Sequence, residues 1–418
     1  MSLIQTPMGR WTSATVLLAL SLFAAALLLA ASSAGAEQIT SDTEYRNENL
    51  VFTEDVEVSG GAKLTLKSCD VTFRPNGTVP LYLRVVHGSL EILDTDIVGE
   101  GAGFIVWSHG DSVIRNVTAT GLGARANSSL RARGLPMTAH GGFMFYSSKV
   151  SVFNLDITGA PATALYAQDC DLDVFSLGTR DACAAYTGTD QCAAVAITYL
   201  GVPPGASTLR TAVINGSKVQ TSYNHGLLVA SAATGYDAKI TIEGTEISTS
   251  GASGLVVYEV NSHGNLTVEG DINDIHHSTD HGVLWVRKSA SGGHARLDLR
   301  QTRIYSISGT AFHVDAVNAR GGATLQLDRC TITDTTGHGT SVTASGCTQS
   351  LNVTLRDSSF VSVGGTGLYF TTDSDGKTSA YHMKLVGTKL TDPASYGIYT
   401  KISQSYAMFN LTLIDSEV

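Results

Sequence analysis

The amino-acid sequence predicts an all-β solenoid, a stack of short strands wound turn upon turn, and three observations carry that reading. The first is a ruler running from about Thr208 to the C-terminus. An apolar residue opens a strand, a small hydroxyl or thiol stands five residues later, a second apolar residue comes at seven, and a Gly or Ala another seven on. The second-apolar and Gly/Ala pairs are Val219/Gly226, Ile247/Gly254, Ile275/Gly282, Ile304/Ala311, Ile332/Gly339, Phe360/Gly367 and Leu390/Gly397. The second observation is the advance of those anchors by 28, 28, 29, 28, 28 and 30 residues, which marks stacked supersecondary units. The third is local alternation. Lys239 to Glu243, Arg296 to Arg300, Thr324 to Asp328 and Asn352 to Arg356 alternate polar and apolar residues with the strand period of two.

Taken in order, residues 1–36 read as an export signal or an uncleaved N-terminal anchor. Arg10 is the only charged side chain there, Val16 to Ala31 is apolar, and Ala34-Gly35-Ala36 supplies a small-x-small cleavage site. Residues 37–61 miss the ruler and are expected to cap the first rung. The solenoid is expected over 62–418, with strand-opening positions near Leu64, Leu90, Ser112, Val150, Leu172, Ala212, Ile240, Leu266, Leu297, Leu325, Val353, Met383 and Leu411. Uneven early intervals place two long turn insertions at about Gly121 to Gly142 and Leu177 to Leu209. The last repeat stops before its turn, so the sequence is expected to be a fragment, or its last rung to pair with a partner.

Composition agrees with a turn-rich β protein. There are 43 Gly, only 8 Pro and 15% charged residues in 418. A formal charge of −10 argues against phosphate-backbone binding, so no nucleic-acid partner is expected. Export places the chain outside the cytoplasm, secreted or at the cell surface. Seven Asn-x-Ser/Thr sequons suit that compartment: Asn76, Asn116, Asn127, Asn215, Asn265, Asn352 and Asn410. Of six cysteines, Cys69 and Cys330 fall on the small-residue position and read as buried thiols. Cys183 and Cys192, nine apart in one irregular stretch, are the disulfide candidate, while Cys170 and Cys347 are unassigned.

The strand followed by Asp/Gly-Ser/Thr-x-Ile and, seven residues on, Gly-Leu-x-Val resembles the repeat of right-handed parallel β-helix proteins of the pectate-lyase-like superfamily. The resemblance covers roughly Lys63 to Val418 and implies about 14 rungs, a rod on the order of 60 Å long. It bears on fold rather than function, because lyases, hydrolases, epimerases and adhesins share it. Gly337-His338-Gly339 resembles a polygalacturonase motif, but the accompanying Asp-Asp pair and Arg-Ile-Lys are absent. The resemblance to lyases implies Ca²⁺ held by acidic side chains beside an arginine base; under any other reading no cofactor or metal is expected.

Several side-chain constellations invite chemistry. The position before each anchor reads His225, Ser253, His281, Thr310, His338, Thr366 and Tyr396, a column that serves either a polymer along the rod or a polar turn ladder, the favoured reading. Asp271, Asp274, His276, His277, Asp280 and His281 form the densest titratable cluster, on what the spacing suggests is a two-residue bulge between Leu266 and Ile275. Glu243, Glu269, Arg300, Asp328 and Arg356 are expected to form one outward column, read as an ion-pair ladder or, under the lyase reading, as a catalytic row. Tyr369 and Tyr399 are expected to point outward on adjacent rungs, as a sugar platform or as sheet-stabilising neighbours. Leu228, Val256 and Leu284 precede them, so part of that face is expected to lie under an insertion. Arg125, Arg131 and Arg133 in the first insertion could meet an acidic glycan.

The favoured function is an exported surface module that binds an extracellular glycan or surface protein, without assigned catalysis. Membrane contact is expected only through an uncleaved N-terminal segment or a missing C-terminal part. The alternative is a polysaccharide lyase or glycoside hydrolase, for which His281, His338, Asp280 and Arg356 are the residues to test. A structural envelope protein is the third reading.

Overall fold

The computed structural model describes residues 36–418 apart from 76–80, 101–103, 124–141, 185–191, 201–208, 233, 290–291, 349, 374–378 and 404–406. The described residues are all-β, with no helix among them. Each full turn contributes a strand to each of three parallel ladders, here called the first, second and third faces. The third face is a 14-stranded parallel sheet running from Glu37–Ile39 to Ile398–Ser403. On the first face the register passes without a break through Thr43, Leu64, Leu90, Ser112, Val150, Leu172, Ala212, Ile240, Val268, Leu297, Leu325, Val353, Met383 and Leu411.

The ruler has a physical cause at each mark. Between the first and second faces the chain turns through one residue in the left-handed region: Ser68, Asp94, Asn116, Asn154, Ser176, Gly216, Gly244, Ile272, Gln301, Arg329, Asp357 and Gly387 form this column. The small residue just after the bend points inward and donates to the carbonyl two residues earlier. Thr95, Thr245, Thr302 and Ser358 do so at 2.8, 3.0, 3.0 and 2.9 Å. Cys69 and Cys330 make the same bond through sulfur at 3.3 and 3.6 Å. A buried bend carbonyl would otherwise go unsatisfied.

The Gly/Ala anchor is a matter of space. A Cβ on Gly226 would meet Ile247 Cγ2 at 2.4 Å, and one on Gly254 would meet Ile275 Cγ2 at 2.6 Å. The second apolar residue of each rung thus packs onto the anchor of the rung before. Inward Leu, Ile and Val from all three faces merge into one core that runs the length of the rod, with Phe73, Phe143, Phe312 and Phe370 filling its wider sections.

Register corrects three expectations. Residues 37–61 are a regular turn, because Glu37–Ile39, Thr43–Arg46 and Asn49–Phe52 each pair in a ladder. The span Leu177 to Leu209 is not one insertion: Asp171–Arg180 crosses the first and second faces and Ala193–Leu200 is a regular third-face strand, leaving only the connections as additions. The bulge between Leu266 and Ile275 is absent, since Val268 rather than Leu266 aligns with Ile240 and Leu297. Asn273 then occupies the small-residue position. It accepts from the Thr245 N–H at 2.9 Å and donates to the Ile242 carbonyl at 2.9 Å, room for it being left by Gly270.

Candidate functional site

Outward side chains of the third face form one column from Gln38 through Glu57, Arg84, Trp107, Met144, Tyr166, Ala196, Leu228, Val256, Leu284, His313, Ser341 and Tyr369 to Tyr399. This column divides in two. From Trp107 to Leu284 it is apolar and aromatic, with Tyr82 packed beside it, and although it points away from the core, Met144, Leu228 and Val256 are only 1, 4 and 0% exposed. From His313 onward it is polar and partly exposed apart from Ser341, and His281 and His338, which stand one residue before their anchors, border it.

The open half begins at Asp280 and His281. His281 Nε2 lies 3.4 Å from Asp280 Oδ1, and its ring stacks on His313 with centroids 4.9 Å apart. Burial pushes the pKa of His281 below the ordinary imidazole range, against the opposing pull of Asp280. His313 is lowered too, by burial first and then by the neighbouring His281. Asp315, two residues on along the same strand, sits 3.5 Å from Lys288 Nζ. His313 went unnoticed in the sequence, although it stands two residues after anchor Ala311, the same offset that places Tyr369 after Gly367 and Tyr399 after Gly397.

Further along, His338, Tyr369 and Tyr399 form a continuous stack with centroid separations of 4.5 and 5.2 Å and interplanar angles of 9° and 7°. Tyr396, 58% exposed, flanks Tyr399 at 5.7 Å. The faces of Tyr369 are therefore taken by its neighbours. What the stack turns outward is ring edges and phenol hydroxyls, with Tyr396 contributing its own exposed ring.

The histidine column has a structural task. His225 Nδ1 accepts the Ser253 backbone N–H at 3.2 Å, and His338 Nδ1 accepts that of Thr366 at 3.0 Å, each bond tying one rung to the next. A neutral ring held this way carries its proton on Nε2. Burial lowers the pKa of His225 to about 4 and that of His338 below its usual range.

The other constellations disperse around the rod. The Asp271 to His281 cluster spans three faces: Asp271 lies on the first, Asp274 and His276 on the second, and His281 on the third. Asp274 is ion-paired to Arg303, and His276 stacks on Tyr305 at 4.7 Å. Among the described residues no three His, Cys, Asp or Glu side chains converge as a metal group. Glu269 leaves its expected column, which reads Glu243, Asp271, Arg300, Asp328 and Arg356, because the same two-residue register difference moves it beside Asp298. Arg300 bonds within its own strand to Asp298 at 2.9 Å rather than across it. Arg356 belongs to the first face, so it is not assembled with Asp280, His281 and His338.

Cys183 and Cys192 form a disulfide, and Cys69, Cys170, Cys330 and Cys347 are buried thiols. Of the sequons, Asn116 is a bend residue whose Nδ2 donates to Asp94 Oδ1 at 2.7 Å. Asn215, Asn265, Asn352 and Asn410 lie on or beside first-face strands. Asn76, Asn127, Arg125, Arg131 and Arg133 lie outside the described residues, as does the expected export segment before residue 36.

Comparison with curated proteins finds no match. Among solved structures, the chain is similar to the periplasmic alginate epimerase AlgG at 11% identity, over 90% of this chain and 84% of that chain, with a TM-score of 0.47. It is similar also to the A-module of the Azotobacter vinelandii mannuronan C-5 epimerase AlgE4, at 11% identity over 84% of this chain and 91% of that chain, TM-score 0.33. A third is the catalytic domain of a GH87 α-1,3-glucanase, at 8% identity over 88% and 64% of the respective chains, TM-score 0.33. A family model described as right handed beta helix region matches residues 205–384. The three ladders carry the same repeat beyond both ends of that match, and the chain is accordingly a right-handed parallel β-helix repeat protein.

Proposed function

We propose that this chain is an exported glycan-binding module whose ligand lies lengthwise along the open half of the third face. The observation that carries this reading is the row from His281 through His313, His338 and Tyr369 to Tyr399. It repeats hydrogen-bonding groups and ring edges from rung to rung on a rigid ladder. Burial keeps these imidazoles neutral near pH 7, which suits hydroxyl groups better than anions. Tyr396 and Tyr399 add aromatic surface of the kind that packs against a sugar. The disulfide and the apolar N-terminal stretch, read as an export signal or an uncleaved anchor, support an oxidising compartment outside the cytoplasm.

The test is retention of the secreted rod on immobilised neutral and acidic polysaccharides, with and without Ca²⁺, while new reducing or unsaturated chain ends are recorded. Retention on a neutral polymer that falls at least tenfold in Tyr396→Ala and Tyr399→Ala is the expected result. No retention on any polymer, or retention indifferent to both substitutions, would overturn the proposal.

One observation favours a catalytic second reading. A carboxylate beside a neutral imidazole that stacks on a second imidazole, as in Asp280, His281 and His313, can take up a proton from a bound substrate. New chain ends that disappear in His281→Gln or His313→Gln would establish an enzyme in place of a binding module.

A further inference from the structure

The second face holds a cleft of about 340 Å³ whose lining includes Thr118, Asp156, Gly178, Arg180, Lys218 and Gln220. It lies on a different ladder from the His281 to Tyr399 row and shares no residue with it. Its origin is legible in the register: Thr118, Asp156, Gly178 and Lys218 occupy one outward column on successive rungs. Gly178 contributes no side chain, and the Asp156 carboxylate leans over the gap, where a Cβ on Gly178 would meet its Oδ1 at 1.8 Å. Arg180 stands two residues along the same strand, paired in register with Thr158.

The cations in this cleft differ from the other cations of the face. Arg74 is ion-paired with Glu100, Arg303 with Asp274 and Lys389 with Glu417. Arg180, Lys218 and Asp156 take part in no ion pair among the described residues. The nearest candidate for Lys218 is its register partner Glu246, but that carboxylate is engaged by Gln220 at 3.1 Å and lies 3.6 Å from His276 Nε2. Two cations and one carboxylate thus line one concavity without an ion-pair partner among the described residues. Beside them, across single bend residues Asn154 and Ser176, the neighbouring first-face column carries Phe153 and Phe175 at 54 and 40% exposure. These rings are among the large apolar side chains that the rod leaves exposed.

We infer that this cleft binds a hydroxylated organic anion, the chemistry shared by sugar acids and small hydroxy acids. The anionic group sits between Arg180 and Lys218, a ligand hydroxyl donates to Asp156, and the carbon skeleton lies toward Phe175. Charge-assisted bonds to both cations supply most of the affinity, and Asp156 separates hydroxylated ligands from bare anions.

The test is titration calorimetry of the intact secreted chain at low ionic strength with four probes: glucuronate, tartrate, glucose and inorganic sulfate. Saturable binding of glucuronate or tartrate is expected, each weakened at least tenfold in Arg180→Gln and in Lys218→Gln. Glucose should not bind the cleft. Asp156→Asn should weaken glucuronate or tartrate relative to sulfate, whose own binding should hold or tighten once the neighbouring negative charge is gone. Gly178→Val fills the gap and pushes the Asp156 carboxylate aside while leaving both cations in place, and should abolish binding of glucuronate and tartrate without loss of the cooperative melting transition. Tyr399→Ala, on the other face, should leave every one of these titrations as it was, so failure here is distinguishable from failure of the third-face reading. Comparison of glucuronate with tartrate tells a sugar acid from a small hydroxy acid. The inference is overturned if neither hydroxylated anion binds, if binding survives both Arg180→Gln and Lys218→Gln, or if sulfate binds as tightly as both and Asp156→Asn changes nothing.

Discussion

The ion pair between Glu259 and Arg287 is a charged pair inside the apolar core, and its removal should weaken the rod more than most single substitutions. Both side chains are 1% exposed and sit on adjacent third-face rungs, with Arg287 Nε bonded to Glu259 Oε2 at 2.5 Å. The same guanidinium donates to the carbonyls of Gly321, Gly322 and Gly293 at 2.9, 3.1 and 3.3 Å, so it staples three chain segments at one corner. Burial raises the pKa of Glu259 even against the pull of Arg287, which shows that desolvation is the larger effect there. Breaking such a pair leaves a buried charge uncompensated, at about 3–5 kcal/mol. Glu259→Gln keeps shape and one acceptor, so its cost should fall at the low end of that range. Arg287→Met strands the carboxylate and also removes the donor from three carbonyls, at about 1 kcal/mol each. The double variant Glu259→Gln/Arg287→Met has no stranded charge and loses mainly those three bonds, so it should cost about 3 kcal/mol, less than Arg287→Met alone. Urea unfolding followed by tryptophan fluorescence measures this, because Trp285 is buried two residues from Arg287 and reports on the same rung. Single variants within about 1 kcal/mol of the parent, or a double variant whose cost is the sum of the two, would refute the assignment of the pair as a corner staple.

Two further outcomes follow from individual residues. His225, with a folded pKa of about 4 against 6.5 in the unfolded chain, binds fewer protons folded than unfolded between those values. Stability is therefore full above about pH 6.5 and declines as pH falls toward 4, by up to about 3 kcal/mol from this residue. His225→Asn, which keeps an acceptor for the Ser253 N–H, should flatten that part of the stability–pH curve; a curve as steep as the parent's would assign the dependence elsewhere. Ile272 holds a β-branched side chain in the left-handed region at φ 52° while being 63% exposed. Ile272→Asn should raise the urea midpoint by the equivalent of about 1 kcal/mol, and a fall would show that the side chain packs usefully where it stands.

The inward half of this protein was legible because each inward mark answers to a contact one rung away, and identical rungs repeat the demand. Thr245 and Cys330 recur at one position for the bend carbonyl, and Gly226 and Gly254 recur because Ile247 and Ile275 pack on them. Where a rung substituted another solution, the ruler slipped. Asn273 does the work of a threonine, which made Leu266 look like the strand opener and displaced Glu269 from its true column.

By itself, then, the sequence determined the solenoid, its period, its inward columns and the place of its bends, since these depend on short-range spacing and on contacts that repeat. Only the tertiary structure decided which outward residues meet. Three bends per turn send neighbours such as Asp271, Asp274 and His281 to different faces. Stacking brings together His281 with His313, and Gly178 with Asp156 and Lys218, which are remote in the chain. It also decided that the faces of Tyr369 are spent on its neighbours, because a ladder that aligns rings one rung apart turns them toward each other and leaves their edges to solvent.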